Sequence, residues 1–91
     1  MSTIHIKRTH NLDHAQARQS TEEIAQQLKR EYDLDYHWEG DTLHFQRSGA
    51  NGRMEVHEGD IEIMVKLSFL LTPIKGRLEG EINRRLDKMM G

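Results

Sequence analysis

The feature that most constrains the fold is an alternation of apolar and polar residues from Leu34 to Leu67. A period of two places successive side chains on opposite faces of a β-strand, so this stretch predicts strands with one buried and one wet face. Three segments rich in glycine, aspartate or asparagine interrupt the alternation, at residues 39–41, 48–52 and 58–59. Because such residues form the tight turns of hairpins, the stretch predicts a four-stranded antiparallel meander.

The apolar positions of these four strands form the predicted core face of a sheet. They are Tyr36, Trp38, Leu43, Phe45, Met54, Val56, Ile61, Ile63, Val65 and Leu67. A separate alternation, of Ile4 and Ile6 with His5 and Lys7, predicts one more strand at the start of the chain. We therefore expect five strands.

Two helices are predicted on either side of the meander. Asp13 followed by Gln16 is a capping-box pattern, and helical spacing of apolar residues continues from there to Tyr32. Near the other end, Thr72 is the expected N-cap and Pro73 the expected first residue of a second helix. The apolar stripe of that helix consists of Ile74, Leu78, Ile82, Leu86 and Met89.

The order strand, helix, four strands, helix predicts an α+β fold, with an antiparallel five-stranded sheet and both helices on its apolar face. This topology resembles a shortened helix-grip arrangement. A chain of 91 residues buries only about 60–65% of its unfolded surface, which leaves no material for a second core. We therefore expect a single domain spanning residues 1–91.

Composition excludes several classes of protein. The 13 basic and 15 acidic side chains are interspersed, which gives no electrostatic reason to expect nucleic acid as a partner. The absence of cysteine excludes disulfides and thiolate zinc sites, and it suits the cytosol. No apolar run approaches the roughly 20 residues of a membrane-spanning helix. We expect a cytoplasmic protein without a membrane span.

Histidine is the one residue type that suggests a metal. Four of the six histidines fall on the predicted wet face of the sheet; they are His5, His37, His44 and His57. If Gly40–Asp41 is a two-residue loop, His37 lies opposite His44 with Cβ atoms about 5 Å apart. The pair could then share a transition metal, with Glu55 as a third ligand. The alternative is that these imidazoles are ordinary residues of a wet sheet face.

No set of residues indicates catalysis. Ser20, Ser48 and Ser68 lie outside any nucleophile-elbow motif. Glu55 and Glu62 are expected to face each other across the last hairpin, but no loop longer than a turn is available to exclude water from them. We expect no enzyme, and no cofactor is implied.

The junction after the last predicted strand carries Phe69, Leu70 and Leu71 in succession. In extended backbone successive side chains point to opposite faces, so at least one of the three should be exposed or lie over the core edge. An exposed apolar group here predicts contact with a partner protein or a hydrophobic surface. The alternative is a bend that closes the core, and the two interpretations are compatible.

The sequence contains three further candidate binding surfaces. Gly76 and Gly80 have a GxxxG spacing on the outer side of the second helix, which predicts either close approach of a partner helix or merely a solvated face. Tyr36, Trp38 and Phe45 would line an apolar cavity if the chain were a small-ligand carrier, which requires roughly 300 Å³. Open edge strands make a homodimer a further expectation.

Three blocks of the chain, in order, carry a family resemblance. The first contains Ile4, Ile6, Lys7, Arg8 and His10, the second spans residues 38–49, and the third spans residues 65–76. Over nearly the full length they resemble the polyhydroxyalkanoic acid system family, short bacterial proteins associated with polyhydroxyalkanoate storage. The resemblance implies a cytoplasmic protein connected to storage granules, and it implies no catalytic residue. We therefore expect a non-enzymatic accessory protein that contacts a granule surface or a granule protein through Phe69, Leu70, Leu71 and the last helix.

Overall fold

The computed structural model describes residues 2–90, within which the chain forms five strands and two α-helices. The strands are β1 (Ser2–Thr9), β2 (Asp35–Glu39), β3 (Thr42–Arg47), β4 (Ala50–His57) and β5 (Asp60–Leu67). The helices are α1 (His14–Tyr32) and α2 (Lys75–Met90), and a 3₁₀ turn at Thr72–Ile74 precedes α2. The predicted α+β architecture and the predicted element order are confirmed.

The strands form one antiparallel sheet in the order β1-β5-β4-β3-β2. The four strands of the meander lie side by side, and β1 adds to the outer side of β5. Glu39 pairs with Thr42 and leaves Gly40–Asp41 as the two-residue loop, as predicted. β1 and β2 form the two edges of the sheet. A homodimer formed by pairing of these edges between two copies of the chain stays a prediction.

Both helices lie on the apolar face of the sheet. α1 contacts β4 and β2, whereas α2 contacts β1 and also packs on α1. The predicted inward residues of β3, β4 and β5 are all buried, while Tyr36 and Trp38 on the edge strand β2 are only half-buried. Buried residues of the helices complete the core; they are Ala17, Ile24, Ala25, Leu28, Leu78, Ile82 and Leu86. The opposite face of the sheet carries polar side chains.

The two helix starts differ in how well the sequence predicts them. At α1 the capping box is present, with the Asp13 carboxylate accepting from the Gln16 amide at 2.8 Å. The N-cap predicted at Thr72 is wrong, because α2 begins at Lys75. The hydroxyl of Thr72 instead donates to the Ser68 carbonyl at 3.3 Å, which commits it to the turn before the helix.

Candidate contact surface at the end of β5

The turn that follows β5 presents two large apolar side chains to solvent. Phe69 is 75% exposed and Leu70 is 73% exposed, and they are the large apolar side chains so exposed among residues 2–89. Burying such a side chain is worth about 1.5–3 kcal/mol, so adjacent exposed residues of this kind mark a candidate contact site. The prediction that at least one residue of this junction is exposed is confirmed. We call Phe69 and Leu70 the apolar pair.

The backbone around the apolar pair is held by hydrogen bonds on both sides. Ser68 donates its amide to the Gly49 carbonyl at 2.8 Å, which ties the turn to the start of β4. Leu71 donates its amide to the Ser68 carbonyl at 3.0 Å, and this closes the turn itself. The exposed side chains therefore project from an ordered turn that is anchored to the sheet.

Leu71, the third residue of the apolar junction, has the other predicted role. It is half-buried and packs against the core. Its Cδ1 atom lies 3.0 Å from where a Cβ would stand at Gly49, whose φ of +85° is one that glycine adopts without strain. Leu71 thus closes the core edge, while Phe69 and Leu70 stay outside. The predicted closure of the core holds for Leu71, and a contact role for the exposed Phe69 and Leu70 stays a prediction.

Positive charge lies next to the apolar pair. An open groove of about 390 Å³ runs beside Phe69, and the charged residues that line it are Arg47 and Lys66. The guanidinium of Arg47 donates to the Tyr32 carbonyl at 2.7 Å and is thereby fixed at the end of α1. The candidate contact surface therefore combines an exposed apolar pair with two neighbouring cationic side chains.

The GxxxG glycines lie on an open part of α2. A Cβ built at Gly76 or at Gly80 would meet no atom within 4 Å outside the local helix backbone, in the part of the chain that the structure describes. Their position on the outer side of the helix is as predicted. A docking role for this face stays a prediction.

Replacing Gly76 or Gly80 by alanine is expected to raise the free energy of unfolding by about 0.5–1 kcal/mol each. Alanine lowers the entropy of the unfolded chain, and the space for its methyl group is open. Urea unfolding of the single variants measures the effect. A loss of stability would show that these glycines have a packing role, whereas a more stable double variant that binds granules less well would assign the face to docking.

The space that a small-ligand carrier needs is largely filled. The apolar cavity between the sheet and α2 measures about 30 Å³, roughly a tenth of the lower limit for ligand pockets. Phe45 is among its lining residues, but Tyr36 and Trp38 are not. Among the described residues, the three aromatic side chains therefore do not share a cavity, and the sheet and helices close on one another.

Tyr36 and Trp38 instead bind one carboxylate of α1. The Tyr36 hydroxyl donates to Glu22 Oε2 at 2.6 Å, and Trp38 Nε1 donates to Glu22 Oε1 at 2.8 Å. The Arg18 guanidinium lies 4.0 Å from the centre of the Trp38 ring, in a cation–π contact. Sequence reasoning missed this set. The signal was available, because Tyr and Trp side chains that are half-buried need partners for their polar atoms.

Replacing Glu22 by alanine is expected to lower the free energy of unfolding by about 2 kcal/mol at pH 7, because two hydrogen bonds to a charged acceptor are lost. Burial raises the pKa of Glu22, but the bonds from Tyr36 and Trp38 outweigh it and hold the pKa below the ordinary 4.5. The contribution is therefore present above pH 4.5 and disappears as pH falls through the lowered pKa.

Urea titrations at several pH values measure this dependence, and Glu23→Ala is the matched control. Glu23 is exposed on α1 and interacts only with Gln19, at 3.4 Å, among the described residues. An equal effect of both substitutions, or an effect of Glu22→Ala that grows as pH falls below 4.5, would contradict the assignment.

A second polar set joins the two helices. Arg85 donates to Gln27 at 2.5 Å and also pairs with Glu31, while the Tyr32 hydroxyl donates to Glu81 at 2.7 Å. Burial and the bond to Glu81 raise the pKa of Tyr32 to about 12. These contacts of Arg85 and Tyr32 bridge the cleft between α1 and α2 and hold the two helices together.

The histidine pair on the wet face has the predicted register. His37 is directly opposite His44, and their rings stack with centroids 5.4 Å apart. Glu55, the suggested third ligand, accepts a hydrogen bond from Arg53 at 3.1 Å, and its role beside this pair stays a prediction. The carboxylate that reaches both imidazoles is Glu39, at 3.3 Å from each Nε2 atom. A metal at His37 and His44 stays a prediction.

In the described part of the chain, neither helix has the length and apolar character required to cross a membrane.

Comparisons with known proteins give a family. The sequence model of a family described as putative polyhydroxyalkanoic acid system protein matches residues 4–90. No curated protein and no solved structure matched the chain. Because the family match spans nearly all of the 91 residues, the chain belongs to the polyhydroxyalkanoic acid system protein family, as its three sequence blocks indicated.

Proposed function

We propose that the chain is a non-enzymatic accessory protein of polyhydroxyalkanoate storage that binds the granule surface through Phe69 and Leu70. The observation that carries the proposal is the exposure of this apolar pair, at 75% and 73%, on a turn anchored to the sheet. The family description supports the storage context, and its short label refers to a granule region. Such a protein acts in the cytoplasm, where the granules lie.

The chemistry of the apolar pair suits a polyester surface. A polyhydroxyalkanoate exposes aliphatic groups and ester carbonyls, which accept hydrogen bonds but carry no charge. The Phe69 and Leu70 side chains would bury against the aliphatic groups, and the Lys66 ammonium beside them would donate to ester carbonyls or to terminal carboxylates. Because the turn is already ordered, binding costs little conformational entropy.

The proposal is tested by mixing the purified chain with native granules and with polymer stripped of protein, then measuring the sedimented fraction. We expect binding to both, and binding to stripped polymer that persists in 1 M NaCl, where charge pairs are screened within about 3 Å. A soluble protein of similar size and net charge serves as the control.

Three results would change the proposal. Binding to native granules alone would replace polymer contact with a contact to a granule protein. Binding to neither material would overturn the granule function. Sedimentation that disappears in 1 M NaCl would show that charge, and not the apolar pair, drives the contact.

A further inference from the structure

We propose that the open face of the sheet carries a site for a divalent transition metal, formed by Glu55, His57 and Glu62. One potential ligand atom from each of these side chains lies within 4.8 Å of the other two. Two carboxylates and one imidazole form a donor set that suits zinc, manganese or iron. The site is distinct from the apolar pair and does not depend on the proposed function.

The register of the sheet brings these residues together. Glu55 on β4 pairs directly with Glu62 on β5, as predicted from the sequence. His57 follows Glu55 by two residues and so falls on the same face of β4. Like charges directly opposite one another destabilise a sheet, and a divalent cation between the two carboxylates would remove that repulsion.

His5 orients one of the proposed ligands. Its Nε2 atom lies 2.6 Å from Glu62 Oε2, while Glu62 Oε1 lies 3.8 Å from Nε2 of His57. Each oxygen of this carboxylate therefore has a different neighbour, and one of them faces the candidate site. Hydrogen bonds of this outer kind fix ligating carboxylates and raise metal affinity by about 10–100-fold. His5 is thus a positioning residue from the neighbouring strand β1.

Two cations face the same carboxylates and compete with the metal. Arg53 contacts Glu55 Oε2 at 3.1 Å, which leaves the other oxygen of Glu55 for the metal. Lys7 pairs with Glu62 in the register of β1 and β5. Ligands about 2.1 Å from a tetrahedral zinc lie about 3.4 Å apart, so side-chain movements of about 1–1.5 Å complete the site.

Titration calorimetry with zinc chloride on the tag-free chain tests the proposal. We expect a zinc site whose affinity falls at least tenfold in the double variant His57→Ala, Glu62→Gln, and to a smaller extent in His5→Ala. The matched control is the double variant His37→Ala, His44→Ala, which removes the other imidazole pair and should keep this site.

Imidazole NMR resonances separate ligation from loss of fold. On addition of zinc, the ring resonances of His57 should shift at lower metal concentration than those of His37. Absence of zinc binding, unchanged affinity in the His57→Ala, Glu62→Gln variant, or loss of all binding in the His37→Ala, His44→Ala variant would each overturn the proposal. Urea unfolding of the metal-free variants verifies that the variants fold.

Discussion

Replacing Phe69 and Leu70 by serine is expected to lower the affinity for protein-stripped polyhydroxyalkanoate by about 100-fold or more. Burial of each side chain contributes about 1.5–3 kcal/mol, and every 1.4 kcal/mol changes the affinity tenfold. The fold should remain intact because the two side chains are 75% and 73% exposed and contribute little to the core. The free energy of unfolding should change by less than about 0.5 kcal/mol. Co-sedimentation and urea unfolding measure the two effects.

Leu12→Ser is the matched control for this prediction. β1 starts at Ser2, which pairs with Leu67 next to the apolar pair. It ends at Thr9, at the opposite end of the β1–β5 strand pair. Leu12 follows that far end, so its substitution removes an apolar side chain remote from the contact surface. The control should bind polymer as the unmodified chain does. Equal binding by the double serine variant, or an equal loss in the control, would contradict a contact through Phe69 and Leu70.

Replacing Gly52 by alanine is expected to cost about 3 kcal/mol of unfolding free energy, the largest stability effect that we predict. A Cβ at this position would lie 2.4 Å from the Met64 carbonyl oxygen and 2.7 Å from Phe45 Cζ. The first neighbour is backbone of the adjacent strand and cannot rotate away, so the sheet must deform, and such overpacking costs up to about 3 kcal/mol or more. The melting temperature should fall by more than about 10 °C.

The control for Gly52→Ala is Gly76→Ala, the same substitution at an open position of α2. The two substitutions should change stability in opposite directions, since only the first introduces a clash. Thermal and urea unfolding of both variants provide the comparison. A loss below about 1 kcal/mol for Gly52→Ala would show that β4 and β5 are not in close approach at this position.

The alternation of apolar residues was sufficient to predict most of the sheet. Once Gly40–Asp41 is taken as a two-residue loop, the pairing of His37 with His44 follows from counting, and the structure has that register. The capping box of Asp13 and Gln16 likewise lies within four residues, so α1 could be placed from sequence. Features that depend on neighbours along the chain, or across one tight turn, are predictable in this way.

Contacts between distant elements were the ones that the sequence could not supply. Thr72 has the residue type of an N-cap, but its hydroxyl lies 3.1 Å from the hydroxyl of Ser2 on β1. The binding of Tyr36 and Trp38 by Glu22 depends on how α1 crosses the sheet. Neither choice of partner follows from local periodicity, because each requires the packed tertiary structure.

The candidate site also has features that the sequence predicted and features that it left open. Exposure within the Phe69–Leu71 junction was predicted from the alternation of side chains in extended backbone. The structure has a turn at these residues, so the exposure is as predicted but its cause is the turn. Which residue closes the core was open, since that depends on the space beside Gly49, into which the Leu71 side chain packs. The grouping of Glu55 with His57 and Glu62 follows from the register of β4 and β5, in which Glu55 faces Glu62.

The most direct test of the central claim places a fluorescent label on the apolar pair. The chain has no cysteine, so a single introduced cysteine can carry an environment-sensitive label such as bimane. The two labelled variants are Leu70→Cys and Ala15→Cys, the second at an exposed position of α1. On addition of protein-stripped polyhydroxyalkanoate, we predict a blue shift and protection from a soluble quencher at position 70, and neither change at position 15. An unchanged spectrum at position 70, or equal changes at both positions, would contradict binding through this surface.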